Sequence, residues 1–111
     1  MLIDTHAHLN DERLLPIAGE IVGTMPQKGL GAIINVGFDR PSSELALSLA
    51  HTYEPLYAVV GIHPHDAKTA TQDDYRYFES VSTDKKVVAI GEIGLDFYYD
   101  LSDRDVQKKV F

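Results

Sequence analysis

Four short apolar runs punctuate the chain: Leu2–Thr5, Ala32–Val36, Leu56–Gly61 and Val87–Gly91. The last three read Ala-Ile-Ile-Asn-Val, Leu-Tyr-Ala-Val-Val-Gly and Val-Val-Ala-Ile-Gly, nearly unbroken and rich in β-branched residues. Runs of this kind suit parallel strands covered on both faces. Between them, apolar residues recur at helical spacing. Leu14, Ile17, Ile21, Val22 and Met25 make one stripe, which Gly29 ends. Leu45, Leu49 and Tyr53 make a second within Ser42 to Tyr53, and Tyr75, Phe78 and Val81 a third within Gln72 to Ser82. Pro16, Gly19, Gly23 and Pro26 weaken the first helix. Ser102 and Asp105 have the spacing of a capping box, ahead of Val106, Val110 and Phe111.

The predicted order is strand–helix three times, a fourth strand and the start of a fourth helix. Each step takes roughly 25–30 residues, about one βαβ unit. Such alternation predicts an α/β fold, a parallel sheet with helices packed outside it. An eight-stranded β/α barrel needs about 250 residues. The expectation is therefore that residues 1–111 are the N-terminal half of a single barrel domain, its first four β/α units. A complete four-stranded α/β domain is the alternative.

Composition adds limits. Hydrophobic residues make up 44% and charged residues 24% of the chain, enough apolar surface for a core. Disordered and fibrous classes are thereby excluded. No apolar run approaches a membrane span, and the start, Met-Leu-Ile-Asp-Thr-His, lacks the pattern of a signal peptide. The absence of cysteine excludes disulfides and thiolate metal sites and fits a cytoplasmic address. Net charge is −7, from 17 acidic against 10 basic residues. Such a surface does not attract nucleic acid by itself. A phosphate-bearing substrate must then be held by bound cations or by a few placed residues.

The residues able to do chemistry fall at strand ends, where β/α barrels carry their sites. Asp4-Thr5-His6-Ala7-His8 ends the first run. Strand alternation predicts Asp4, His6 and His8 on one face, two imidazoles able to share a metal ion with the aspartate accepting a ring N–H. Gly61-Ile62-His63-Pro64-His65-Asp66 follows the third run, a second His-x-His pair stiffened by Pro64. Gly91-Glu92-Ile93-Gly94-Leu95-Asp96 follows the fourth, and a carboxylate there can bridge two cations. Each cluster has a plainer reading, as a polar strand end or a solvated turn. The three of them, at the ends of the first, third and fourth runs, favour a metal site. His51 reads as a solvated helix-end residue, Lys85-Lys86 as a solvated turn, and Phe97-Tyr98-Tyr99 as either a pocket mouth or packing under a loop.

Asp4-Thr-His-Ala-His8-Leu9, Asn35-Val-Gly-Phe-Asp39, Gly61-Ile-His-Pro-His65 and Ala89-Ile-Gly-Glu-Ile-Gly-Leu-Asp96-Phe97-Tyr98, in this order and spacing, resemble the TatD family of metal-dependent deoxyribonucleases. The resemblance runs the length of the chain. It implies a TIM barrel of the metal-dependent hydrolase type with two divalent metal ions, the identity among Zn, Mn, Fe and Mg left open. It implies His6, His8 and Glu92 as metal ligands and Glu92 and His63 as catalytic residues. His63 and His65 become substrate-binding residues, and DNA the substrate, cut by a metal-activated water. The family's other ligands, two histidines and an aspartate, lie beyond Phe111. The piece alone is thus expected to be inactive and to self-associate through exposed barrel edges. A metallohydrolase of small esters, amides or lactones, and a non-catalytic truncated α/β module, are the alternatives.

Overall fold

A computed structural model describes residues 1–111. The four apolar runs become strands β1 (Leu2–Ala7), β2 (Leu30–Val36), β3 (Leu56–Val60) and β4 (Val87–Ile90). All neighbours are parallel and the sheet order is the sequence order, β1-β2-β3-β4. Helices α1 (Ala18–Thr24), α2 (Arg40–Thr52) and α3 (Gln72–Val81) make the crossovers, and α4 (Arg104–Val110) follows β4. Consecutive strands side by side with a helix in each connection are the rhythm of a β/α barrel.

Local chemistry sets the helix starts. The Asp39 carboxylate accepts from the Ser42 N–H while the Ser42 side chain accepts from the Asp39 N–H, and Thr71 and Asp74 repeat this reciprocal cap on α3. The first helical stretch is broken as its glycines and prolines predict. Short 3-10 turns, Leu15–Ile17 and Pro26–Lys28, flank seven α-helical residues, and Gly29 closes the unit at φ 69°. One expected cap differs. Asp103, not Ser102, caps α4, accepting from the Asp105 N–H. The buried Ser102 hydroxyl donates to the His65 carbonyl and accepts from the Lys68 N–H.

The core lies between one face of the sheet and the helices. Ile33, Leu56 and Ala58 meet Ala46, Leu49 and Ala50 of α2, with Leu9 and Met25 at the margin. Val60 and Ile62 pack with Phe78 of α3 in a smaller cluster. Small residues at positions 43, 46 and 50 bring α2 close to the sheet, so Leu45 turns outward and is exposed. The opposite face carries no helix. There Ile3, Ala32, Ile34, Tyr57 and Val88 line an apolar hollow of about 420 Å³. Of the runs read as covered on both faces, β2 and β3 are thus covered on one, while β4 is exposed from Val88 to Ile90. No helix is long and apolar enough to cross a membrane.

Candidate metal centre

The three clusters converge on one segment, the turn that follows β2. Three successive carbonyls there serve three chemical side chains or their backbones. Val36 O accepts from His8 Nδ1 at 2.9 Å, Gly37 O from the Glu92 N–H at 2.9 Å, and Phe38 O from the His63 N–H at 2.7 Å. Close packing makes this possible. A Cβ on Gly37 would lie 2.2 Å from Ser43 Oγ, and one on Gly61 would lie 2.5 Å from the Gly91 carbonyl, the residue before Glu92. Only glycine allows the strands to approach this closely.

Two buried asparagines brace the same turn. Asn35, fully buried, accepts from the Leu9 N–H, and Asn10 donates to Val36 O and Ser42 O. The Val36 carbonyl thus serves both His8 and Asn10. Asn10 belongs to no motif singled out in the sequence, whereas Asn35 opens the Asn35-Val-Gly-Phe-Asp39 stretch. Asn35 does interrupt an otherwise apolar run, and a polar residue there signals a buried hydrogen-bonding task.

His6, His8 and Glu92 form one donor group, their ligand atoms all within 4.8 Å of one another. The two Nε2 atoms stand 3.2 Å apart, and His6 Nε2 is 3.7 Å from Glu92 Oε2. Two nitrogens sharing a tetrahedral cation at ordinary bond lengths sit about 3.3 Å apart. The tautomer agrees. A carbonyl only accepts, so His8 Nδ1 carries the proton and Nε2 keeps its lone pair for a ligand. The donor set, two imidazole nitrogens and a carboxylate, therefore fits a divalent transition metal in chemistry and spacing.

Asp4 does not act as expected. Asp4 pairs with Ile33 and Ala7 with Asn35, so three steps along β1 match two along β2. The register is irregular between Asp4 and Ala7, so strict alternation of faces does not carry from Asp4 to His6 and His8. Its carboxylate instead accepts from the His6 backbone N–H at 3.0 Å.

The second pair is wired the other way. His63 Nδ1 accepts from the His65 N–H at 3.1 Å, so in the neutral ring Nε2 bears the proton. That Nε2 lies 3.8 Å from Glu92 Oε1. The His65 ring stands edge-on to His63 with centroids 4.2 Å apart, and its Nε2 is bound to the Asp96 carboxylate. The His65 ring donor and the backbone N–H groups of Tyr99 and Tyr98 hold Asp96 below the usual carboxylate range. Gln107, buried on α4, clamps both the N–H and the carbonyl of Asp96.

His8, Phe38, His63, His65 and Glu92 line one cleft of about 310 Å³ with Asp11, Arg13 and Asp66. Arg13 is the one permanently cationic side chain in this lining. Its guanidinium makes two bonds to Asp11, at 2.8 and 3.2 Å, and holds that carboxyl down at about 2. Outside the cleft, His51 is exposed in the last turn of α2, as read from the sequence, and also meets Asp84 at 2.9 Å. Lys86, read as a solvated turn residue, donates to the Glu54 and Leu56 carbonyls and lies over Tyr57.

A parallel β/α sheet whose C-terminal rim gathers two imidazoles and a carboxylate defines a class, the β/α-barrel proteins with a metal-type donor cluster. Within that class the chain belongs to the family described as TatD related DNase, whose model matches residues 3–111. It is 42% identical over 111 residues to YabD of Bacillus subtilis (strain 168), an uncharacterized metal-dependent hydrolase, covering 100% of the chain and 44% of that protein. It is 32% identical over 92 residues to the 3'-5' ssDNA/RNA exonuclease TatD of Cronobacter sakazakii, covering 83% of the chain and 35% of the relative. The crystal structure of the TatD homologue YJJV from Escherichia coli K12 superposes with a TM-score of 0.86 at 30% identity, over 98% of this chain and 43% of that one. The chain thus spans less than half the length of these relatives.

Proposed function

We propose that the protein hydrolyses phosphodiester bonds in nucleic acid, DNA foremost, with divalent metal held on His6, His8 and Glu92. One observation carries this reading: the two imidazole nitrogens and the carboxylate come within 4.8 Å of one another at the strand rim. The exonuclease name of the Cronobacter relative supports the substrate. Two cations are proposed for the whole protein, as the family resemblance implies, and Glu92, with Oε2 toward His6, has a second carboxylate oxygen to offer. Bound there, a divalent cation supplies Lewis-acid stabilisation of phosphoryl charge and lowers the pKa of an attacking water.

The chain's own residues divide the remaining work. The Val36 carbonyl keeps the proton on His8 Nδ1 and so aims the Nε2 lone pair into the site. His63, with its proton on Nε2, donates to a phosphoryl oxygen or to the leaving oxygen and acts as the general acid. His65 has Nε2 committed to Asp96 and so meets substrate with its ring. Arg13 supplies a fixed positive charge in a chain of net charge −7.

The test uses protein made from its complete reading frame and loaded with Zn, Mn or Mg in turn. Cleavage of a single-stranded oligonucleotide is expected to stop on chelation and to return with one of these ions. Full nuclease activity after verified removal of metal would sink the proposal.

A further inference from the structure

The segment after β4 presents two tyrosine rings to solvent in a chain that otherwise has reason to hide them. Tyr98 is 86% exposed and Tyr99 64%. They are not packed under a loop. Exposed aromatic rings usually accompany a mobile backbone, but here the backbone is tied down. The Asp96 carboxylate accepts from the N–H groups of Tyr98 and Tyr99 at 2.9 and 3.1 Å. Gln107 holds the Asp96 main chain at 2.7 and 3.0 Å. The Arg104 guanidinium bonds the Phe97 carbonyl and the Asp100 carboxylate and lies 4.9 Å from the centre of the Phe97 ring. Lys68 Nζ donates to the Leu101 carbonyl. Phe97 is the half-covered anchor, and the two tyrosines are what the braced loop displays.

The rings are continuous with the metal-type cluster. From Glu92 the path passes to His63 at 3.8 Å and to the His65 ring, centroids 4.2 Å apart. It continues to Tyr99 at 5.7 Å and Tyr98 at 4.8 Å, every pair of rings edge to face. A row of aromatic faces therefore leads from the cleft to open solvent. A ring held this way loses little conformational freedom when something stacks on it.

We infer that Tyr98 and Tyr99 are a stacking platform for the unpaired bases of single-stranded DNA entering the rim cluster. This rests on the proposed phosphodiesterase reading and adds the means by which the strand is held. One observation and two general facts of stacking favour bases as the occupant. A chain of net charge −7 has little general attraction for phosphate, so contact must come from an interaction that does not need positive charge. Stacking on an aromatic ring is such an interaction and accepts any base. Base faces are free only in single strands, since in a duplex they are covered by their neighbours.

The experiment measures KM and kcat of the metal-loaded protein, made from its complete reading frame, on a single-stranded oligonucleotide and on one with abasic residues near its end. Tyr98→Ala and Tyr99→Ala are each expected to raise KM about tenfold while leaving kcat near wild type. Tyr98→Trp is expected to keep the wild-type KM, with indole emission quenched as the strand binds. On the abasic strand the wild type is expected to show the raised KM and the alanine variants no further rise. Wild-type KM in both alanine variants, with cleavage intact, would overturn the platform alone. An equal loss on the abasic strand would do the same, because the rings would then be acting without bases. Failure of the metal-loaded wild type to cleave any single strand would overturn the platform and the phosphodiesterase reading together.

Discussion

The chain carries the pattern His-x-His twice, at the ends of β1 and β3, and the two copies have opposite chemistry. In the first, His8 gives its Nδ1 proton to the Val36 carbonyl and presents a lone pair at Nε2. In the second, His63 receives a backbone N–H at Nδ1 and presents a proton at Nε2. Glu92 lies between them, one oxygen 3.7 Å from His6 and the other 3.8 Å from His63. Identical residue spacing thus yields an acceptor on one side and a donor on the other. The backbone partner of the far nitrogen decides which, and that partner depends on the local path of the chain. His8, just past β1, reaches across to the Val36 carbonyl at the end of β2, whereas the 3-10 turn Pro64–Thr69 folds the His65 N–H back onto His63.

The largest expected effect separates the two sides. His8→Ala or Glu92→Gln should lower metal affinity by more than about 100-fold, since even changes outside the ligand shell cost 10–100-fold. His63→Ala should leave metal bound and lower kcat by about 10²–10⁴-fold, the usual contribution of a positioned acid or base. Metal content by elemental analysis beside single-turnover rates checks both arms. Loss of metal in His63→Ala equal to that in His8→Ala would erase the distinction.

A smaller effect should strike both sides at once. Gly37→Ala places a methyl against the buried Ser43, 2.2 Å from its hydroxyl oxygen, in the turn whose carbonyls hold His8, Glu92 and His63. Overpacking of this kind costs about 1–3 kcal/mol. Denaturant melts should show that loss, and metal affinity and kcat should fall together. A stability loss with both functions untouched would mean that the turn carbonyls do not govern the site.

The sheet and its order were legible because near-continuous runs of Ile, Val and Ala leave few alternatives to buried parallel strands. The convergence of His6, His8 and Glu92 was legible too, since the C-terminal ends of parallel strands share one rim, even though β1 and β4 are the two edges of the sheet. What could not be read was phase. The register irregularity between Asp4 and Ala7 breaks strict alternation, and nothing in Asp-Thr-His-Ala-His announces it. Open strands were equally hidden, because an apolar run looks the same whether one face or two are covered. Ser102 was read as a cap from its spacing to Asp105, but spacing is local and its partners, His65 and Lys68, are distant in sequence. The opposite tautomers of the two histidine pairs depend on such distant or turn-specific partners and were likewise out of reach.

The last and smallest effect tests the donor side through acid. Asp96 is held below the usual carboxylate range of about 4, first by His65 and then by the backbone of Tyr99 and Tyr98. A carboxylate whose folded value is depressed adds stability above its unfolded value. That stability is lost as pH falls through the lower folded value. The window therefore opens just under pH 4 and runs downward. Asp96→Asn should cost a little stability at neutral pH. The gap between it and the wild type should close as acid protonates the native carboxyl, leaving the two alike at the low end. Urea melts of both proteins from pH 7 to pH 2.5, a range chosen to bracket the usual carboxylate value, give the gap directly. A gap that stayed constant with pH would show that Asp96 braces the tyrosine loop by shape alone, without its charge.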